Sequence, residues 1–373
     1  MKYLFIVQGE GRGHLTQAIA LEEILRSSGH EVVEVLVGKS SSRQLPAFFS
    51  RSIHAPIHRF ESPNFLPTAS NKRNNITRSV AYNVARLPVY LRSMHFIKEH
   101  IARSGADMVV NFYELLTGLA YALYRIPTPQ VCIGHQYLFL HHDFRFPKKS
   151  LPGLWGLKFF TRLTCIGAKK KLALSFHAMD EDVKEDIRVV PPLLRKEVFR
   201  CECSEGDYVH GYMVNSGFAE SVREWHALHP DVPLRFFWDK RGEKTVRRED
   251  DTLSCYPLND VEFLRQMSGC RAYASTAGFE SICEAMYLCK PVLMVPAHIE
   301  QDCNAFDAAS NGAGIVSDSF ELDRLLAFAE QYVPDVRFRT WVESAPYMIC
   351  YALDPDAYKH QASDHMYMVE EFT

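Results

Sequence analysis

Cysteine is too sparse here for a disulfide scaffold. The ten in 373 residues lie at 132, 165, 201, 203, 255, 270, 283, 289, 303 and 350, several inside apolar runs such as Val131-Cys132-Ile133. They read as small core residues of a reducing compartment. Cys201-x-Cys203 is the one close pair, with no second pair and no histidine at zinc spacing, so two loop cysteines is the reading. No stretch approaches the ~18 consecutive apolar residues of a membrane-spanning helix. The apolar start, Met1 to Val7, is too short for a signal sequence. The expected location is therefore the cytoplasm, with any membrane contact peripheral. Net charge is small as well: 42 Lys and Arg against 45 Asp and Glu leave −3, no global reason to expect nucleic acid. What the chain does have is 47% hydrophobic and 12% aromatic residues, enough for full cores. Its length favours two domains.

Residues 3–7 are a continuous apolar run, as in a strand buried on both faces of a parallel sheet. Gln8-Gly9-Glu10-Gly11-Arg12-Gly13-His14 breaks the run. A helical pattern follows from Leu15 to Ser28, with Ala18, Leu21 and Leu25 on one face and Gly29 as the stop. Glu31 to Val37 is the next strand. This strand, glycine loop, helix and strand unit predicts a doubly wound sheet. The α/β alternation continues with strands at 107–112, 129–134 and 172–176. Met179–Asp186 is strongly acidic and Val189-Val190-Pro191-Pro192 reads as a stiff linker, which places a boundary after 190. The second half repeats the logic, with strands at 208–214 and 234–238. Its clearest unit is strand 271–275, turn Thr276-Ala277-Gly278, helix 279–288, stop Cys289-Lys290-Pro291 and strand 292–295. The expectation is a fold of two Rossmann-like halves, 1–190 and 191–350, with 351–373 crossing back onto the first.

A glycine turn between strand and helix lets backbone amides meet a phosphate at a helix N-terminus. A dinucleotide dehydrogenase would also want an acidic residue ending the second strand, but that strand ends Val35-Leu36-Val37-Gly38-Lys39. Kinase and P-loop readings fail because no Gly-Lys-Ser/Thr follows the loop. The more specific signal lies further on. Ser275-Thr276-Ala277-Gly278-Phe279-Glu280-Ser281-Ile282-Cys283-Glu284-Ala285 precedes Lys290-Pro291-Val292-Leu293-Met294-Val295-Pro296. Glu300-Gln301-Asp302-Cys303-Asn304-Ala305 and Gly312-Ala313-Gly314 follow. With Gly13-His14 and Gln17-Ala18 of the first half, this set resembles the inverting nucleotide-sugar glycosyltransferases of the α/β, two-domain GT-B architecture. Within them it is most similar to the UDP-glycosyltransferases and the N-acetylglucosaminyltransferase that builds the lipid-linked peptidoglycan precursor.

The resemblance implies roles for individual residues. Glu284 falls where the family's carboxylate takes both ribose hydroxyls. Thr276, Ala277, Gly278 and Phe279 fall at the helix N-terminus whose amides cradle the diphosphate, and Gly11 and Gly13 are counted among the donor-binding residues. Glu300 and Gln301 match the pair on the donor sugar, closed by Asn304 and Ala305. Tyr256-Pro257-Leu258 falls where the base is held. His14 matches the acceptor base, and a helix N-terminus disfavours imidazolium, so it should stay neutral. Glu114 is the candidate carboxylate to orient it. Retaining relatives carry a second glutamate eight positions before the ribose carboxylate; here that position is Thr276, and Glu280 is at the wrong spacing. The implied product is β-linked from an α-linked UDP-sugar, with no metal or other cofactor. A hydroxyl acceptor, lipid-linked or of a cell-envelope precursor, is the expected second partner.

Other residues leave their readings open. Asn215-Ser216 ends a strand and is either a phosphate contact or a plain turn. His135-Gln136 lies at a sheet edge as site or as structure. His141-His142-Asp143 and Asp180-x-Asp182 read as loop and solvated turn. Between Phe144 and Leu174 lie Arg145, Lys148, Lys149, Lys158, Arg162, Lys169, Lys170 and Lys171 without a single acid. Trp155, Phe159 and Phe160 are interleaved with them. This is the pattern of an acceptor-side or anionic-membrane surface, or of a helix with one core face. A nucleotide-sugar epimerase and a non-catalytic nucleotide-sugar or lipid binder are the competing functions.

Overall fold

The computed structural model describes residues 1–40, 45–63, 82–148, 151–213, 216–238 and 245–358. Two seven-stranded sheets organise it. The first runs in the order β3-β2-β1-β4-β5-β6-β7 and is parallel throughout. Its strands are β1 (Lys2–Gln8), β2 (Glu31–Gly38), β3 (Ile57–Phe60), β4 (Met108–Phe112), β5 (Gln130–Ile133), β6 (Ala168–Leu174) and β7 (Ile187–Val190). The second runs β10-β11-β9-β8-β12-β13-β14 and is parallel except for its edge pair β10/β11. Those strands are β8 (Val209–Met213), β9 (Leu234–Trp238), β10 (Arg247–Arg248), β11 (Leu253–Pro257), β12 (Ala272–Ser275), β13 (Val292–Met294) and β14 (Gly314–Val316). Tyr3 to Val7 are wholly buried, because helices cover both faces of β1. Helix Arg12–Ser27 lays Leu15, Ala18, Leu21 and Leu25 into the same core.

Each sheet reverses its winding beside its first strand, between β1 and β4 and between β8 and β12. Crevices at the carboxyl ends of strands open at such switch points. The loop after β1, the turn after β4 and the turn after β12 are therefore brought to one cleft. Trp341 donates its indole N–H to Ser175 O at 2.9 Å, and helix Ala345–Leu353 packs on helix Arg12–Ser27 and β7. The chain thus returns to the first sheet before residue 351; residues 359–373 lie outside the described residues.

Three details depart from the sequence reading. Val189 and Val190 are not linker but pair with Ala173 and Leu174, making β7 the sheet's edge. Lys169, Lys170 and Lys171 belong to β6, which begins at Ala168. Asp182 is buried rather than solvated: it accepts from His142 and from the turn amides of Lys184 and Glu185. All ten cysteines are free thiols.

Candidate active site

The site is built from two similar strand-to-helix turns facing one another. β4 leads into Tyr113 and β12 runs through Thr276 into Ala277, and both Tyr113 and Ala277 hold left-handed backbone, φ 60° and 58°. Non-glycine residues in that region cost about 1–3 kcal/mol each, and such strain gathers at functional sites. Gly278 then opens helix Phe279–Tyr287, and no side chain caps its first amides. Opposite, Gly11 opens helix Arg12–Ser27 with His14 in its first turn. Gly13 is glycine for a packing reason: a Cβ there would overlap the carboxylate of Glu280. Gly9 is held close to Val37 and Gly38 of β2 in the same way.

A chain of polar side chains crosses the cleft and returns. Glu280 accepts from the Gln17 amide. The Gln17 carbonyl lies 3.3 Å from His14 Nδ1. His14 Nε2 lies 3.4 Å from the Gln136 amide nitrogen, which also donates to Glu300 Oε1 at 2.9 Å. These partners assign His14 as the Nδ1–H tautomer, leaving Nε2 as the acceptor. Its ring stacks on Tyr113, whose hydroxyl meets Thr161 at 2.8 Å. Burial lowers the His14 pKa, only partly opposed by the Glu300 charge and the bond to Gln17. The same burial raises the Glu280 carboxyl to about 7, helped by the Glu300 charge and opposed by its own backbone N–H and Gln17. A neutral base and a carboxyl poised near neutrality thus share one cleft.

Glu284 lies one turn beyond Glu280, 4% exposed, and is gripped by Arg195 through two bonds of 2.7 and 3.1 Å. Arg12 pairs with Asp260, joining the first glycine loop to the turn after β11. Tyr256, within β11, stacks on Phe237, and Leu258, just after that strand, packs on the core. Gln301 accepts from the Ala297 amide at 2.9 Å and closes its own loop. Asn304 donates to Ala277 O at 3.3 Å and supports the left-handed turn. Thr276, Ala277 and Phe279 are buried beneath the helix N-terminus. His135 stacks on Phe279 at 4.0 Å and bonds Leu174 O at 2.7 Å, while burial pushes its pKa down to about 4. It is a packing histidine between the halves. Asn215 lies outside the described residues; Ser216 begins the short turn Ser216–Phe218.

One expectation is corrected. Glu114 does not orient His14, whose two nitrogens face Gln17 and Gln136. Its carboxylate instead caps helix Leu115–Leu123 through the Leu116 amide and accepts from Ser62 at 2.7 Å, close against Gly38. Burial raises its pKa to about 7. Conversely, Glu280, Gln17, Tyr113 and Arg195 carried no assigned role in the sequence. Glu280 was legible only as an extra acid in the helix's first turn, and Arg195 had no local signal at all. The basic segment is also redistributed: Lys171 is buried, Lys170 pairs with Glu181 at 3.3 Å and Arg162 with Glu185 at 3.1 Å. Lys158 lies over the Phe146 ring. Trp155 and Phe159 remain on the surface.

Two largely parallel sheets meeting at a polar cleft define the two-domain GT-B architecture. Residues 1–333 match glycosyl transferase family 1, and the chain belongs to that family. It is a glycosyltransferase. Solved structures share the fold at low identity. A spinosyn rhamnosyltransferase complexed with thymidine diphosphate is 14% identical, with TM-score 0.61 over 95% of this chain and 100% of that one. A calicheamicin glycosyltransferase is 13% identical, with TM-score 0.59 over 95% and 97%. UGT2 of Phytolacca americana, complexed with UDP-2fluoro-glucose and pterostilbene, is 13% identical, with TM-score 0.58 over 93% of each chain. Among curated protein sequences none matches.

Proposed function

We propose that the enzyme transfers a sugar with inversion from a UDP-sugar, bound on the second half, to an acceptor hydroxyl presented by the first. The observation that carries this is His14 Nε2, unprotonated, dry and linked through Gln136 to Glu300 of the other half. The acceptor O–H gives its proton to Nε2, and its oxygen attacks the anomeric carbon from the face opposite the diphosphate. The sugar–phosphate bond breaks and UDP leaves toward the N-terminus of helix Phe279–Tyr287, whose amides take up its charge. Glu284 serves the ribose hydroxyls, which requires Arg195 to yield one of its two bonds. Glu300 serves the sugar. Glu280, while protonated, donates to a diphosphate oxygen instead of repelling it. The test is to supply UDP-sugars with a panel of hydroxyl acceptors and read the product's anomeric configuration by NMR. A β-linked product from an α-linked donor supports the reading; a retained configuration overturns inversion and the role of His14.

The acceptor side favours a lipid-linked substrate delivered at an anionic membrane surface. Helix Leu151–Thr164 exposes Leu151, Trp155 and Phe159 by 69, 76 and 64%, at four-residue spacing and so on one face. Arg145, Lys148 and Lys169 are exposed in the same basic segment. Its inner face supplies Thr161 to Tyr113, and Gly153 lies against Ile299, the residue before Glu300. An apolar stripe with cations beside it is what an interfacial helix presents. No helix among the described residues is long and apolar enough to cross a membrane.

A further inference from the structure

We propose that Glu34, His58 and His100 form a binding site for one zinc-type divalent metal ion, away from the transfer cleft. The three come from three elements: Glu34 from β2, His58 from the edge strand β3 and His100 from helix Leu87–Ser104. Glu34 Oε1 lies 3.1 Å from His58 Nε2 and 2.6 Å from His100 Nδ1, and all three donor atoms fall within 4.8 Å of one another. Two imidazoles and a carboxylate are a donor set that zinc accepts, with bonds of about 2.0–2.2 Å. Donors so bound stand roughly 3.3 Å apart by tetrahedral geometry, so the ion enters by small outward shifts of side chains already converging.

The surroundings favour one orientation of the rings. His100 lies on Phe96 with centroids 4.0 Å apart, and His58 lies 5.0 Å from His100. Glu34 is mostly covered while His58 is 44% exposed, which leaves an open side for a water as fourth ligand. A second convergent group, His141, His142 and Asp182, differs in its chemistry. His141 Nε2 bonds Asp180 O at 2.9 Å and its Nδ1 accepts from the Asp143 amide, so neither nitrogen is available. Asp182 is already spent on turn amides.

The position fixes what the ion does. Glu34 stands four residues before the end of β2 that reaches the cleft, so the site ties an edge strand and a flanking helix to the sheet and takes no part in transfer. The full-length chain is stripped with a chelator and titrated with Zn²⁺, or with Co²⁺ as its coloured surrogate, and bound metal is counted after dialysis. The wild type retains one ion per chain. Its Co²⁺ form shows visible absorption of a low-symmetry nitrogen and oxygen site, with no thiolate charge-transfer band. His58→Ala, His100→Ala and Glu34→Gln each weaken affinity roughly tenfold or more, and zinc raises the melting temperature of the wild type alone. UDP affinity is the same in all four proteins. A wild type that retains no ion overturns the site, as does equal retention by the His58→Ala/His100→Ala double variant. A thiolate band would assign the metal to cysteines instead.

Discussion

His14 and Glu280 are titratable groups that burial pushes in opposite functional directions. The lowered His14 pKa keeps the imidazole neutral at pH 7, so protonation removes the base only below the ordinary histidine range. Glu280, raised to about 7, loses its proton just where His14 is fully competent. Turnover should therefore trace a bell with an acid limb below 6.5 and an alkaline limb near 7. Glu280→Gln holds that side chain neutral, so in the variant UDP affinity should no longer fall as pH rises through 7; an unchanged alkaline limb would remove Glu280 from the donor site. His14→Ala should cut turnover by about 10²–10⁴-fold and spare UDP affinity. Steady-state kinetics with calorimetry separates the two, and lost UDP affinity with undiminished turnover would make His14 a loop-shaping residue. Residue identity alone could suggest His14, since it follows a glycine loop at a helix start. It could not reveal Glu280, because its significance comes from Gly13, 267 positions away, having no side chain.

At the scale of elements, buried parallel strands were the most legible features, since continuous apolar runs such as Tyr3 to Val7 have few other uses. The strand–turn–helix unit from Ala272 to Tyr287 follows the sequence pattern closely. The edge strand β3 was not legible: Ile57-His58-Arg59-Phe60 is half polar, as an exposed edge permits. Lysines hid the start of β6, because Lys169 and Lys170 project from the sheet while only Lys171 is buried. Helix Leu151–Thr164 shows the opposite conflict, keeping a core face and still exposing three large apolar side chains. Its stripe, rather than the lysines of β6, carries the membrane prediction. Trp155→Ser/Phe159→Ser should reduce partitioning onto anionic vesicles and leave activity on a short soluble acceptor unchanged, as read by co-sedimentation and turnover. Equal partitioning of variant and wild type would end the membrane account. Added salt should weaken wild-type binding, since charges are screened beyond about 8 Å at physiological ionic strength.

At the scale of the molecule, the two halves are joined by polar links that a transfer reaction must be able to loosen. Gln17 to Glu280, Gln136 to Glu300 and Arg12 to Asp260 all span them. Global stability carries its own record of dry carboxyls. Glu114 titrates near 7 in the fold against 4.5 for an ordinary glutamate, so the folded chain binds the extra proton between those values. Its contribution to stability is present below 4.5 and lost as pH rises to about 7. Glu114→Gln should remove a pH-dependent loss of roughly 3 kcal/mol. Denaturant melts at pH 4.5 and pH 8 should therefore find the variant gaining on the wild type at the higher value; a constant difference would contradict the buried carboxyl. The central claim, however, divides labour between halves: donor held by Glu284, proton taken by His14. Calorimetric titration of UDP into the wild type, His14→Ala and Glu284→Gln tests that division most directly. The account predicts comparable binding by the first two and a loss of about 1.5–3 kcal/mol in the third, the worth of a charge-assisted bond. Unaltered binding by a folded Glu284→Gln variant, or its loss in His14→Ala, would contradict it.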